Sequence, residues 1–309
     1  MYYTGFADEA GRSIEVQIQA TKALGWSRME SRNIDGMNVH DISDAAFDHV
    51  AEQLDRHGVR INCFGSTVAN WSCDPKSEED WQRSLQQLQR ALPRMQRLGC
   101  TMIRGMSFAR LRDTSLYTAE LENVIFSKVR TLVKLCEDAG VMYLHENCEN
   151  FGGMSSEHTL KLLDKVKSPN FRLVFDTGNP VNSMDFGTGQ GKSMQNAFQF
   201  YHEVREFISY VHIKDGVFRA LQSEQIFNTT DWTFPGEGDG CVKEIVADLL
   251  KSGYNGGFSM EPHMAIVFHE KDSGSRDDFM RNNYVEYGQR FMKMVNAIAA
   301  ETGIPITLE

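Results

Sequence analysis

Two hydrophobic periods alternate along the 309-residue chain. Short runs dense in apolar and β-branched residues are separated by longer stretches whose apolar positions recur three and four apart, and the exchange repeats to the end. The short runs read as strands: YYTGFAD from Tyr2, SRMESR from Ser27, RINCFGS from Arg60, TMIRGMSF from Thr101, VMYLHEN from Val141, FRLVFDTGN from Phe171, ISYVHIKDG from Ile208 and GFSMEPH from Gly257. The longer stretches predict helices over 14–24, 45–57, 78–98, 119–139, 157–166, 194–207, 242–251 and 276–301. Phe47, Val50, Ala51 and Leu54 have the spacing of a helix face that packs on a sheet. Gly25, Gly58, Gly99, Gly140 and Gly253 stand where a left-handed residue ends a helix, and the next strand begins soon after each.

Eight successive βα units without a Pro/Gly/Ser linker predict an α/β chain folded as a single-domain (β/α)8 TIM barrel over 1–309. The competing architecture, an open doubly wound sheet, calls for a glycine-rich phosphate turn after its first strand. Here that turn reads DEAGRSIE, without the GxGxxG spacing.

A barrel places its chemistry at the C-terminal ends of the strands. The polar residues there are Asp8 and Glu9, Glu30 and Arg32, Arg104, then His145, Glu146 and Asn147; the later strands bring Asp176 and Asn179, His212, Lys214 and Asp215, and finally Glu261 and His263. Glu146, Asp176, His212 and Glu261 each close one of the last four strands. Three carboxylates and one imidazole suit one divalent ion, Mn²⁺ first, with Mg²⁺, Co²⁺ or Zn²⁺ as alternatives; the absence of sulfur ligands argues against structural zinc. Three carboxylates gathered at one mouth repel one another unless a cation neutralises them. The bland alternative pairs each with a nearby Lys or Arg or places it at a helix cap.

Composition narrows the partners. Acidic residues outnumber basic ones 42 to 32, a net charge of -10 that gives no global positive field for nucleic acid or anionic membranes. No run approaches the roughly 18–20 apolar residues of a membrane span, and the start of the chain lacks a basic-then-apolar leader pattern. Six scattered cysteines without a CxxC pair suit reduced thiols, hence a cytoplasmic address.

The segments LHEN at 144–147, FDTGN at 175–179, HIKDG at 212–216, PGEGD at 235–239 and SMEPH at 259–263 resemble the xylose isomerase-like barrel superfamily, and the resemblance spans the chain. That group includes sugar isomerases, 3-epimerases such as tagatose 3-epimerase, inosose dehydratases and apurinic-site endonucleases. The resemblance implies a divalent ion held by Glu146, Asp176, His212 and Glu261, and a keto-sugar or sugar derivative as substrate. Glu146 and Glu261 would be the catalytic pair that moves a proton off and onto carbon through an enediolate, in isomerisation or epimerisation. The alternative on the same site is a lyase that eliminates water or a glycosidic group from a 3-keto sugar or inosose; a non-catalytic sugar-binding protein or an endonuclease-like hydrolase stands further off. Relatives are often dimers or tetramers. Many also carry a histidine where this chain has Asn179, which can orient a hydroxyl but cannot shuttle protons at neutral pH. The additional histidines of the endonucleases are not evident here.

Weaker signals concern substrate contacts. Lys214 either stabilises charge on the substrate or forms a salt bridge with Glu237 or Asp215. Glu237, between two glycines in the loop after strand seven, along with Arg219, His263 and Arg104, is a candidate substrate contact; Trp71 and Phe108 offer aromatic faces for a sugar ring or serve as seals. His145 alternates away from Glu146 and reads as packed. Glu30 and Arg32 share one strand face, as substrate contacts or an internal ion pair. The run GTGQGKS at 187–193 lacks phosphate-loop spacing and reads as a flexible flap.

Overall fold

The structure, a computed structural model, describes residues 1–111, 113, 117–187, 193–219, 230–264 and 276–308. Eight strands form one sheet: β1 (Tyr2–Gly5), β2 (Arg28–Ser31), β3 (Arg60–Phe64), β4 (Met102–Gly105), β5 (Met142–Glu146), β6 (Phe171–Asp176), β7 (Ile208–Ile213) and β8 (Gly257–Met260). Their order is β1-β8-β7-β6-β5-β4-β3-β2, with parallel neighbours throughout. A parallel bridge between Phe6 and Glu30 joins the two ends, so the expected (β/α)8 TIM barrel is the observed fold.

The helices are α1 (Ile14–Ala23), α2 (Asp44–His57), α3 (Glu78–Leu98), α4 (Ala119–Asp138), α5 (Ser156–Val166), α6 (Ala197–Val204), α7 (Val242–Lys251) and α8 (Arg276–Thr302). Ser13, Ser43, Ser77, Thr118 and Ser155 start α1 to α5, each side-chain oxygen accepting from the backbone N–H three residues on. Gly58 and Gly99 end α2 and α3 with φ of 64° and 65°, the left-handed conformation that a glycine adopts without steric cost. One boundary differs from expectation: the sixth helix is not 194–207 but the shorter α6. Asn196 caps it by accepting from Gln199 N, Met194 bridges to Met184, and Arg205–Phe207 tightens into a 3-10 turn. No described helix is long and apolar enough to cross a membrane.

Packing explains why the strand ends matter. Cys63, Leu144, Val174 and Tyr210 form a small buried cluster with Tyr2, Met102 and Met142 against it, contributed by six of the strands. Side chains two residues apart on a strand share a face. One step beyond Met102, Leu144, Val174 and Tyr210 on that same face are therefore Arg104, Glu146, Asp176 and His212. The apolar layer is the floor on which the polar layer rests. Two short antiparallel ladders, Asn33–Ile34 with Met37–Asn38 and Asp215–Phe218 with Thr230–Thr233, extend past strands β2 and β7.

Candidate active site

Glu146, Asp176, His212 and Glu261 are brought together: all are buried, and one ligand atom from each lies within 4.8 Å of the others. Each also has a second polar atom tied to an outer partner. Asp176 Oδ1 accepts from the backbone N–H groups of Gly178 and Asn179 at 2.8 and 2.7 Å. Glu146 Oε2 accepts from Arg104 Nη1 at 3.2 Å, and Glu261 Oε1 from Arg32 Nη1 at 2.7 Å. His212 Nε2 lies 3.1 Å from Glu30 Oε2, which also accepts from Ser259 Oγ at 2.7 Å. The atoms outside these braces are Glu146 Oε1, Asp176 Oδ2, His212 Nδ1 and Glu261 Oε2, with His212 Nδ1 3.5 Å from Glu146 Oε1 and 3.8 Å from Asp176 Oδ2.

Two of those four atoms, Asp176 Oδ2 and His212 Nδ1, are buried without a hydrogen bond. Their contacts are charge pairs alone, Lys214 Nζ 3.1 Å from the first and Glu146 Oε1 3.5 Å from the second, and buried polar atoms without a hydrogen bond are rare enough to mark a place that a further group would complete. Asp176 Oδ2 is an acceptor and His212 Nδ1 becomes one on losing its proton, which fits a cation that displaces that proton. The Glu30 contact gives His212 the outer carboxylate partner by which metal-binding imidazoles are held in one tautomer.

Charge is balanced closely here. Burial works against the His212 imidazolium, yet Glu30 and Glu146 outweigh it and raise the pKa to about 10. Burial would raise Glu146, but Arg104 and His212 bring it down to about 2. Glu261 is likewise held well below the carboxylate range against burial by Lys214, His263 and Arg32. Asp176 moves the other way: burial, helped by the Glu261 and Glu146 charges, lifts it to about 6 despite Lys214. The Lys214 ammonium lies 3.1 Å from Asp176 Oδ2 and donates to Glu261 Oε2 at 3.1 Å and to Asn179 Oδ1 at 2.9 Å.

Above this layer opens a cavity of about 510 Å³, whose walls include Arg32, Arg104, Glu146, Asn179, Lys214, Glu261, His263 and Trp71. Of the expected substrate contacts, Asn179 joins Glu146 Oε1, to which its Nδ2 donates at 3.2 Å, to Lys214. His263 is anchored to Glu9 through Nδ1 at 2.8 Å. Other expectations need correction. Glu237 does not face the cavity: its side chain is exposed and accepts from Arg290 Nη1 of α8 at 3.2 Å. The glycine amides flanking it turn inward onto Asp215, leaving the side chain outside. Arg219 is also exposed, donating to Asp231 Oδ2 at 2.6 Å across the ladder that follows β7. Lys214 pairs with neither Glu237 nor Asp215. Glu30 and Arg32 do not pair with each other: Glu30 holds His212, whereas Arg32 reaches Asp8 at 2.9 Å and Glu261. Phe108 is core, fully buried beside Trp81. His145 is packed as expected, 3.0 Å from both Ser107 Oγ and Asn150 Oδ1, and burial lowers its pKa to about 4. Of the expected flap, 188–192 lie outside the described residues.

The sequence reading missed Trp232, which lines the cavity edge-on to His263, with ring centroids 5.3 Å apart and Lys214 Nζ 5.4 Å from its own centroid. It sits in a ladder strand inside the loop after β7, so the strand-end rule gave no signal for it. Asn70, Glu149 and Ser183 reach the cavity from loops in the same way.

The xylose isomerase-like TIM barrel family matches residues 18–307 of this sequence. The chain belongs to that family. No curated protein matches the sequence. Among solved structures, this xylose isomerase-like barrel is similar to a D-tagatose 3-epimerase-like protein, with a TM-score of 0.70 at 18% identity, covering 98% of this chain and 100% of the other. A xylose isomerase-like TIM barrel protein from Mycobacterium smegmatis in complex with magnesium gives a TM-score of 0.68 at 15% identity, over 96% and 97% of the two chains. The probable 3-DHS dehydratase AsbF of Bacillus anthracis gives 0.66 at 14% identity, over 92% and 97%. At such identities the likeness is one of fold.

Proposed function

We propose that this barrel is an enzyme that isomerises or epimerises a keto-sugar or sugar derivative by proton transfer, using one divalent ion held by Glu146, Asp176, His212 and Glu261. The observation that carries the reading is the set of four inward-facing atoms, two of them buried without a hydrogen bond, each ligand braced from outside. Mn²⁺ is the preferred ion on its donor set of three carboxylates and one imidazole. When bound, the ion would supply Lewis acidity toward the substrate's carbonyl oxygen and so acidify the neighbouring C–H.

The protein's own groups move the protons. Glu146 and Glu261 are both held ionised at neutral pH, so one takes the proton from carbon as a base. The other accepts a proton from a substrate hydroxyl and delivers it to carbon, from the opposite face in an epimerisation, while the first glutamate passes the proton it took to that oxygen, so both carboxylates end the cycle ionised. Arg104 and Arg32 fix the two carboxylates from outside, while Asn179 and His263 present polar edges to the sugar hydroxyls. Trp71 and Trp232 supply apolar faces on the cavity wall. Each lining cation named here, Arg32, Arg104 and Lys214, is already engaged by carboxylates, which supports an uncharged sugar over a phosphorylated one. The free state of all six thiols supports a cytoplasmic setting.

The test is incubation of the Mn²⁺-supplemented protein with a panel of keto-sugars in D₂O. Recovery of the starting sugar and an isomer or epimer with deuterium at the carbon next to the carbonyl is the expected result. An unsaturated product would replace this reading with the lyase, and no turnover of any sugar together with saturable binding would leave only a sugar-binding protein.

A further inference from the structure

Within the cluster, one side chain belongs to neither the ligand set nor its outer braces. Lys214 is buried, and its ammonium bonds Glu261 Oε2 at 3.1 Å and Asn179 Oδ1 at 2.9 Å and lies 3.1 Å from Asp176 Oδ2. Asp176 Oδ1 is already held by two backbone amides and Glu261 Oε1 by Arg32. The oxygens that Lys214 holds are therefore the same two that remain for a divalent ion. Carboxylate oxygens bind such ions at roughly 2.0–2.2 Å. An ion at that distance from both oxygens and an ammonium 3.1 Å from the same two would be like charges sharing one pair of oxygens, buried from water.

We propose that Lys214 and the divalent ion compete for Asp176 Oδ2 and Glu261 Oε2, so that loading the ion transfers the lysine from the carboxylates to the cavity side, where Asn179 and the Trp232 ring remain its partners. The inference rests on the metal reading above. On this account the lysine serves twice. It keeps the carboxylates from repelling one another before the ion arrives, and afterwards it offers an N–H donor to a substrate oxygen. The place of Asn179, which holds both Glu146 and Lys214, gives that residue a part as the pivot of the exchange.

Two measurements test the exchange. Calorimetric titration with Mn²⁺ of metal-stripped wild type and Lys214→Met at one pH should give at least ten-fold tighter binding in the variant. Charge removal alone also tightens binding, so the second measurement decides: acetylation of Lys214 in the wild-type protein, followed by peptide mass spectrometry, should rise at least five-fold when Mn²⁺ is bound. This arm needs no variant and stands if Lys214→Met fails to fold. Unchanged or slower labelling with Mn²⁺ bound, or a folded variant that binds Mn²⁺ no tighter than wild type, overturns the competition while leaving the metal site in place. Failure of both proteins to bind Mn²⁺ overturns the metal reading and the competition together.

Discussion

Asp215 is the structural clasp of the cavity's far wall, and replacing it with asparagine should weaken both the fold and the site. Its side chain accepts four backbone N–H groups: Gly216 and Gly240 at 2.9 Å on Oδ1, Gly236 at 2.8 Å and Gly238 at 3.1 Å on Oδ2. The loop can approach this closely because it is glycine-rich; a Cβ on Gly238 would stand 2.4 Å from Asp215 Oδ1. Asparagine keeps the shape but has a single acceptor oxygen, so two of the four amides would face its NH₂ group. Hydrogen bonds to a charged group contribute about 1.5–3 kcal/mol each. Losing two of them amounts to roughly 3–6 kcal/mol, before any relaxation. At about 2–4 °C per kcal/mol for chains approaching this size, the midpoint of thermal unfolding should fall by roughly 6–24 °C. Asp215 also begins the ladder that carries Trp232 against His263 and Lys214. KM for the sugar should accordingly rise in Asp215→Asn, at temperatures where the variant remains folded, with kcat less affected. Calorimetric scanning and steady-state kinetics read the two effects. An unfolding midpoint within 2 °C of wild type would refute the four-amide reasoning, since relaxation can offset part of the loss but not all of it.

Three further outcomes are expected. Glu146→Gln and Glu261→Gln should each lower kcat by about 10²–10⁴-fold, the usual contribution of a positioned acid or base, with unchanged circular dichroism; full activity in both would remove the two-glutamate mechanism. Because Glu30 and Glu146 raise the His212 pKa to about 10, an ion reaching Nδ1 must displace a proton throughout the neutral range, so Mn²⁺ affinity should strengthen about ten-fold per pH unit from pH 6 to 8; a flat profile would show that His212 is not protonated or not a ligand. Glu237→Ala and Arg219→Ala should retain kcat/KM within about two-fold, since both side chains are exposed on pairs outside the cavity, and a ten-fold loss in either would contradict that placement.

Much of the site could be read from the chain because a parallel barrel turns a local property into a spatial one. Glu146, Asp176 and His212 end strands at equivalent steps above Leu144, Val174 and Tyr210, so the two-residue period that hides the apolar layer inside also aims the polar layer at the axis. Loop residues carry no such rule. Glu237 and Trp232 both lie after β7, and sequence position suggested a cavity role for the first and none for the second. The amides of Gly236 and Gly238 turn toward Asp215 and send Glu237 outward to Arg290, whereas pairing of Trp232 with Gly216 brings the indole onto the cavity wall.

By itself the sequence determined the βα rhythm, the barrel and the four residues of the candidate metal site, since each follows from periodicity and from what stands at a strand's end. Only the tertiary structure decided which atom of each residue faces inward. Arg32 reaches Glu261 across 229 residues of chain and Glu30 reaches His212 across 182. Bonds of that span leave no local pattern, because the partners become neighbours only when β1, β2 and β8 close the ring. The same closure sets Lys214 on Asp176 and Glu261 rather than on Asp215 beside it: strand alternation turns adjacent residues to opposite sides, and burial obliges each charge to find its partner across the barrel.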